Sequence, residues 1–90
     1  MRPKKTNQAL AVFGQTVRTY RLAKGLTQEQ LAELADLHFG YLGALERGEK
    51  NISLLNIVSI SEALQVPPSA LIAVLDVIAV EPTNRQKTTS

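Results

Sequence analysis

Apolar residues recur at intervals of three and four along most of the chain, which is the spacing of one face of an α-helix. The first run predicts a helix over about residues 8–23, whose apolar face consists of Leu10, Phe13, Val17 and Tyr20. Gly25 follows this run and is suited to a left-handed helix end. The pattern therefore predicts that the chain begins with an amphipathic helix.

A second helix of about two turns is predicted after Thr27, because Thr27 and Gln30 fit a capping box in which each side chain bonds the other residue's amide. The helical pattern is interrupted from Asp36, a residue type that tolerates a positive φ, so a tight turn is expected there. A third helix is predicted to begin near Phe39 and to end before Gly48.

Two further helices are predicted in the second half of the chain. Ser53 is a suitable N-cap for a fourth helix, whose shared face consists of Leu54, Ile57, Val58, Ser61 and Leu64. Proline is favoured in a first helical turn, so a fifth helix is expected from Pro68. It has almost no polar face and must be buried on nearly all sides. We therefore expect a dimerisation helix over about residues 68–79, with the interface residues Leu71, Val74, Leu75 and Ile78.

The chain length of 90 residues suits one domain. The formal net charge is +2, but residues 7–80 contain five basic and seven acidic side chains and so have a charge of −2. Attraction to a polyanion must then come from a local patch or from the basic termini. Residues 7–80 are predicted to form the domain, residues 1–6 a flexible basic arm and residues 81–90 a disordered tail.

Composition also argues against several classes of function. The chain has no cysteine and a single histidine, so neither a disulfide nor a metal site is expected, and no cofactor is implied. No nucleophile or carboxylate pair flanks a recognisable pocket, so neither catalysis nor a small-molecule ligand is expected. No secretory or membrane-spanning segment is evident, so we expect a cytoplasmic protein without a membrane partner.

Residues 28–47 have the most informative pattern, which is a helix, a three-residue turn and a second helix. The small Ala32 lies where the two helices would cross, and the corner is sealed by Leu37, Leu42 and Leu45. This arrangement leaves the N-terminal half of the later helix exposed at an angle that a DNA major groove accepts. DNA binding is therefore the leading hypothesis.

Two segments of this region resemble a known family. Residues 25–32 (GLTQEQLA) and 41–48 (YLGALERG) are similar to the two most specific signatures of the Cro and phage-repressor helix-turn-helix family, and residues 18–72 resemble its whole domain. Residues 46–54 are particularly similar to controller proteins of restriction-modification systems. The resemblance implies an all-α, five-helix, lambda-repressor-like domain. It also implies a transcription regulator that binds an operator in double-stranded DNA. The apolar last helix predicts that the regulator is a homodimer.

The resemblance implies roles for individual residues as well. Thr27 and Gln28, at the positively polarised start of the second helix, would contact a DNA phosphate. Arg21 and Glu46 would form an internal ion pair between the first and third helices. Further phosphate contacts would come from Arg47, Lys50 and Asn51. The alternative for these polar residues is an ordinary first helical turn and a solvated basic loop.

The base-contacting positions depart from the family pattern. The family usually has Arg, Gln, Ser or Thr at the exposed start of the third helix, whereas the corresponding residues here are His38, Phe39, Gly40, Gly43 and Ala44. Recognition of bases through hydrogen bonds is therefore expected to be poor. Phe39 could either contact a thymine methyl group or belong to the hydrophobic core. Basic arms and DNA deformation are alternative sources of specificity. The alternative function is a protein-interaction module, or an antitoxin-like component, that binds another protein through this apolar face.

Overall fold

The computed structural model describes residues 5–79, with side chains from residue 7 to residue 78. Throughout this range the regular structure is helical, as predicted: α1 is Lys5–Ala23, α2 is Gln28–Ala35, α3 is Phe39–Glu46, α4 is Leu54–Leu64, α5 is Pro68–Ile72 and α6 is Asp76–Ala79. Because α1 begins at Lys5, it includes the last two residues of the predicted basic arm. Residues 1–4 and the predicted tail, residues 81–90, lie outside the described residues.

Capping interactions confirm the predicted helix boundaries. The Thr27 hydroxyl accepts from the Gln30 amide at 3.0 Å, and the Gln30 side chain accepts from the Thr27 amide at 2.9 Å. Asp36 ends α2 with φ 58° and ψ 46°, in the left-handed region predicted for it. The Ser53 hydroxyl accepts from the Asn56 amide at 3.1 Å at the start of α4. Local chemistry therefore determines where these helices begin and end.

One hydrophobic core joins all the longer helices. It contains Phe13 and Val17 of α1, and from the other helices Leu31, Leu42, Leu45, Ile60, Leu64 and Leu71. Gly14 lets the backbones of α1 and α3 meet, because a Cβ atom at this position would collide with the carbonyl oxygens of Leu45 and Glu46. This close approach brings the C-terminal end of α3 directly against α1.

The predicted dimerisation helix is formed as three short pieces, in which a 3₁₀ turn, Ala73–Leu75, separates α5 from α6. Leu71 is completely buried in the core, and Leu75 packs against that core. The assignment of Leu71 to a dimer interface was wrong, because α5, the 3₁₀ turn and α6 pack on α1 and the chain itself covers this side chain. The assignment of the partly buried Leu75 to that interface stays a prediction. Val74 and Ile78 are only half-buried.

The apolar face of α4 also differs from the prediction. Ile60, Ser61 and Leu64 are buried. In contrast, Leu54 is 72% exposed, Leu55 is 76% exposed and Val58 is 36% exposed. We call these last three residues the α4 strip. Within residues 5–79 no single helix is long and apolar enough to cross a membrane; α4 and the segment Pro68–Ile78 meet that test only as a pair bent by 111°.

Candidate nucleic-acid interface

Helices α2 and α3 form the predicted helix-turn-helix. Ala32 is buried at their crossing, and its carbonyl oxygen accepts from the Leu37 amide at 2.8 Å, which closes the turn. Leu42 and Leu45 anchor α3 in the core. The turn therefore holds α3 at a defined angle and leaves its first residues at the surface.

A buried ion pair links the end of α1 to the end of α3. Arg21 Nε lies 2.7 Å from Glu46 Oε2, and Arg21 Nη2 donates to Glu46 Oε1 at 3.0 Å. The third guanidinium nitrogen donates to the Leu26 carbonyl oxygen at 2.9 Å. The two side chains are only 6% and 3% exposed. This is the structural pair that the resemblance implied, in the two-bond geometry that favours arginine over lysine.

The same carboxylate holds Gln28, which the sequence did not indicate. Gln28 Nε2 donates to Glu46 Oε1 at 2.9 Å, so the first residue of α2 is tied to the last residue of α3. An amide nitrogen has two N–H groups, so the second remains available to an acceptor outside the protein. The two residues are eighteen positions apart, and no sequence pattern links them.

The start of α3 presents fewer residues than the sequence predicted. Phe39 is 49% exposed, which places it at the surface and removes the alternative that it belongs to the core. Gly40 and His38 are also exposed. Ala44 is only 7% exposed, and Gly43 is buried beneath the side chains of Gln28 and Arg47, so their assignment to base contact was wrong. Because α3 is apolar on nearly every side, periodicity alone did not distinguish its buried face.

The loop after α3 has polar side chains at the surface. Arg47 forms an exposed ion pair with Glu49, with Nε 3.1 Å from Oε2. Lys50 and Asn51 are exposed as well. Tyr41 Oη donates to the Asn51 carbonyl oxygen at 2.8 Å and so ties this loop to α3. The roles of Tyr41 and Glu49 were missed, because both depend on the path of the loop.

The helix-turn-helix family matches residues 17–71, which include α2, the turn and α3. The chain belongs to this helix-turn-helix family. It is 48% identical over 68 residues to control protein C.BamHI of Bacillus amyloliquefaciens, covering 74% of this chain and 84% of that protein. It is 42% identical over 53 residues to control protein C.SmaI of Serratia marcescens, covering 59% and 63%. The crystal structure of the restriction-modification controller protein C.AhdI from Aeromonas hydrophila is similar, with a TM-score of 0.68 and 48% identity over 69% of this chain and 94% of that chain.

These similarities confirm the predicted family, fold and class of function. This helix-turn-helix protein is a DNA-binding transcription regulator. The apolar face that suggested a protein-interaction module is not formed as predicted, because Gly43 and Ala44 are buried.

Proposed function

We propose that this helix-turn-helix protein binds an operator as a homodimer and regulates transcription as a restriction-modification controller protein. The observation that carries this proposal is the exposed start of α3 beside Gln28, which Glu46 holds at 2.9 Å. The 48% identity to control protein C.BamHI over 74% of the chain supports the specific class.

In the proposed complex the start of α3 enters the major groove. The second N–H group of Gln28, together with the amides in the first turn of α2, donates to a phosphate on one side of the groove. Lys50 and Arg47 contact phosphates on the other side, where the loop follows α3. These contacts position the protein on any duplex and provide affinity that depends on salt concentration.

The α4 strip is the proposed contact with a second copy of the chain. Leu54 and Leu55 are more exposed than any other leucine side chain among the described residues. In a two-fold interface each buried leucine occurs twice. Complete burial of one such side chain contributes about 1.5–3 kcal/mol, so a symmetric strip provides a substantial part of the association energy. For a two-fold dimer we expect an operator with two half-sites about one turn of the DNA helix apart.

Fluorescence anisotropy across a salt series tests the DNA-binding part of the proposal. The probes are a random-sequence duplex and a duplex from the region upstream of the protein's own gene. We expect binding to both, with preference for the upstream duplex and affinity that falls steeply as salt concentration rises. Equal affinity for the two duplexes would contradict operator recognition, and the absence of a salt dependence would contradict phosphate contact.

Sedimentation velocity tests the dimer. Leu55→Lys places a charge in the α4 strip and is expected to give a monomer at concentrations where the unsubstituted protein is dimeric. Leu22→Lys is the matched control, because Leu22 is an exposed leucine of α1 that lies outside the strip. A monomeric unsubstituted protein, or a dimer that persists in Leu55→Lys, would contradict the proposed interface.

A further inference from the structure

The imidazole of His38 has a defined orientation at the start of α3. His38 is the N-cap of this helix, and its Nδ1 atom accepts from the Gly40 amide at 3.0 Å. An imidazole nitrogen that accepts a hydrogen bond has no proton of its own, so the neutral ring must carry its proton on Nε2. The cap therefore selects one tautomer and makes Nε2–H a donor. Among residues 7–78, whose side chains the structure describes, no hydrogen bond from this N–H group is formed.

Gly40 provides the space for this ring. A Cβ atom at residue 40 would lie 3.3 Å from Nδ1 and 3.4 Å from Cε1 of His38, which is closer than ordinary van der Waals contact. A side chain at residue 40 would require the imidazole to shift by a few tenths of an ångström, so glycine leaves the ring in its hydrogen-bonded position.

No other side chain at the exposed start of α3 can donate in the same way. Phe39 and Gly40 have no polar side-chain atoms. The hydroxyl of Tyr41 is engaged, because it donates to the Asn51 carbonyl oxygen at 2.8 Å. The polar readout of a base by this surface thus depends on one N–H group.

On the basis of the proposed function, we propose that His38 is a specificity-determining residue whose Nε2–H donates to N7 of a purine in the major groove. Both purines present N7 as an acceptor on that edge, whereas pyrimidines do not. Phe39 follows directly and offers its ring to an apolar group on the neighbouring base pair, such as a thymine methyl. Because Nδ1 accepts from the Gly40 amide, the neutral imidazole of His38 has one tautomer, and its Nε2–H donor has one orientation.

The test uses chemically altered duplexes. A preferred duplex is first selected from a random pool with the full-length protein, and each of its purines is then replaced in turn by the 7-deaza analogue, in which C–H replaces N7. For the unsubstituted protein we expect one position in each half-site at which this replacement weakens binding about three- to tenfold, the range for a single hydrogen bond.

His38→Ser separates the donor from the cap. Serine is a preferred N-cap whose hydroxyl can accept from the same amide, but it is too short to donate to a base. We expect this variant to remain folded. At the purine where 7-deaza replacement weakens binding by the unsubstituted protein, the variant should bind the preferred duplex and its 7-deaza version with equal affinity. Ser53→Ala is the matched control, because it removes the cap of α4, and it should lower stability while keeping the 7-deaza effect.

Three results would overturn the inference. One is an unsubstituted protein whose preferred duplex has no 7-deaza-sensitive position. Another is a His38→Ser variant that keeps the full sensitivity. The third is a His38→Ser variant that binds the preferred duplex and all of its 7-deaza versions more weakly by one common factor. That result would mean that Nε2–H donates to a phosphate rather than to a base. If the unsubstituted protein selects no preferred duplex, the proposed function itself fails, and this outcome is distinct from the other three.

Discussion

The two helices of the motif begin in different ways. The first residue of α2, Gln28, is connected through Glu46 to a buried arginine and thereby to α1. The start of α3 is held by a local contact, the bond between His38 and the amide two residues later. The next residue, Phe39, is half-exposed.

In the proposed complex, this difference corresponds to two tasks in binding DNA. Contacts to phosphates position a protein in the same way on every sequence, so their donors benefit from rigid connection to the core. Contacts to bases differ between operators, and a surface defined by local interactions can change residue by residue without unfolding the domain. Substitutions that alter the two helix starts and the loop after α3 should reveal this difference, and the largest effect is expected for Glu46.

Glu46→Ala should break the connection between α2 and the core. It leaves the guanidinium of Arg21 buried without its carboxylate partner, and removing one member of a buried pair typically costs about 3–5 kcal/mol. Urea denaturation should show this loss. Glu33→Ala is the control, since Glu33 is an exposed residue of α2 whose removal should change stability by about 0.5 kcal/mol or less. A loss as small as that of the control would show that the pair is not important for folding.

Gln28→Ala should weaken binding to every duplex by one factor of roughly ten, the loss of a hydrogen bond to a charged acceptor. Preferred and random duplexes should be affected equally, because the contact is to a phosphate. Anisotropy titrations with both duplexes provide the measurement. A loss confined to the preferred duplex would instead assign Gln28 to base recognition.

Phe39→Ala should weaken binding in a way that depends on the DNA sequence, in contrast to Gln28→Ala. Because the ring is 49% exposed, its removal should lower the urea midpoint less than the removal of a fully buried core side chain would. Replacing a contacted thymine by uracil, which lacks the methyl group, should weaken the unsubstituted protein about three- to fivefold, as expected for one buried methyl group. The variant should not distinguish the two bases. Equal discrimination by both proteins would remove Phe39 from the interface.

Glu49→Gln should have the smallest effect. The ion pair between Arg47 and Glu49 is exposed, and such pairs contribute about 0–1 kcal/mol to stability. Removing the carboxylate frees Arg47 for a phosphate and eliminates a repulsive charge, so binding to all duplexes should strengthen about twofold or more at low salt. Weaker binding would mean that Glu49 positions Arg47 for DNA.

Much of the motif was predictable from local sequence. The capping box at Thr27, the left-handed Asp36 and the N-cap Ser53 are confirmed, because each depends on a few neighbouring residues. The pair between Arg21 and Glu46 was anticipated through the family resemblance. The cap by His38 was not anticipated, because histidine is not among the usual capping residues.

The apolar segments were predicted less well. In α3 the sequence FGYLGALE has no clear polar side, and two of its residues were assigned to the wrong face. The segment after Pro68 was interpreted as an interface helix, although the chain itself buries Leu71. Hydrophobicity indicates that such residues are covered, but it does not indicate by what.

The sequence by itself determined the first four helices, the caps of α2 and the N-cap of α4, the helix-turn-helix and the family, because these depend on short-range chemistry and on motifs of eight residues. Tertiary structure decided which face of α3 meets solvent, which leucines of α4 remain exposed and which carboxylate holds Gln28. The physical reason is that these features arise between residues distant in sequence. At Gly14, for example, the backbone of α1 lies directly against the backbone of α3, about thirty residues later in the sequence.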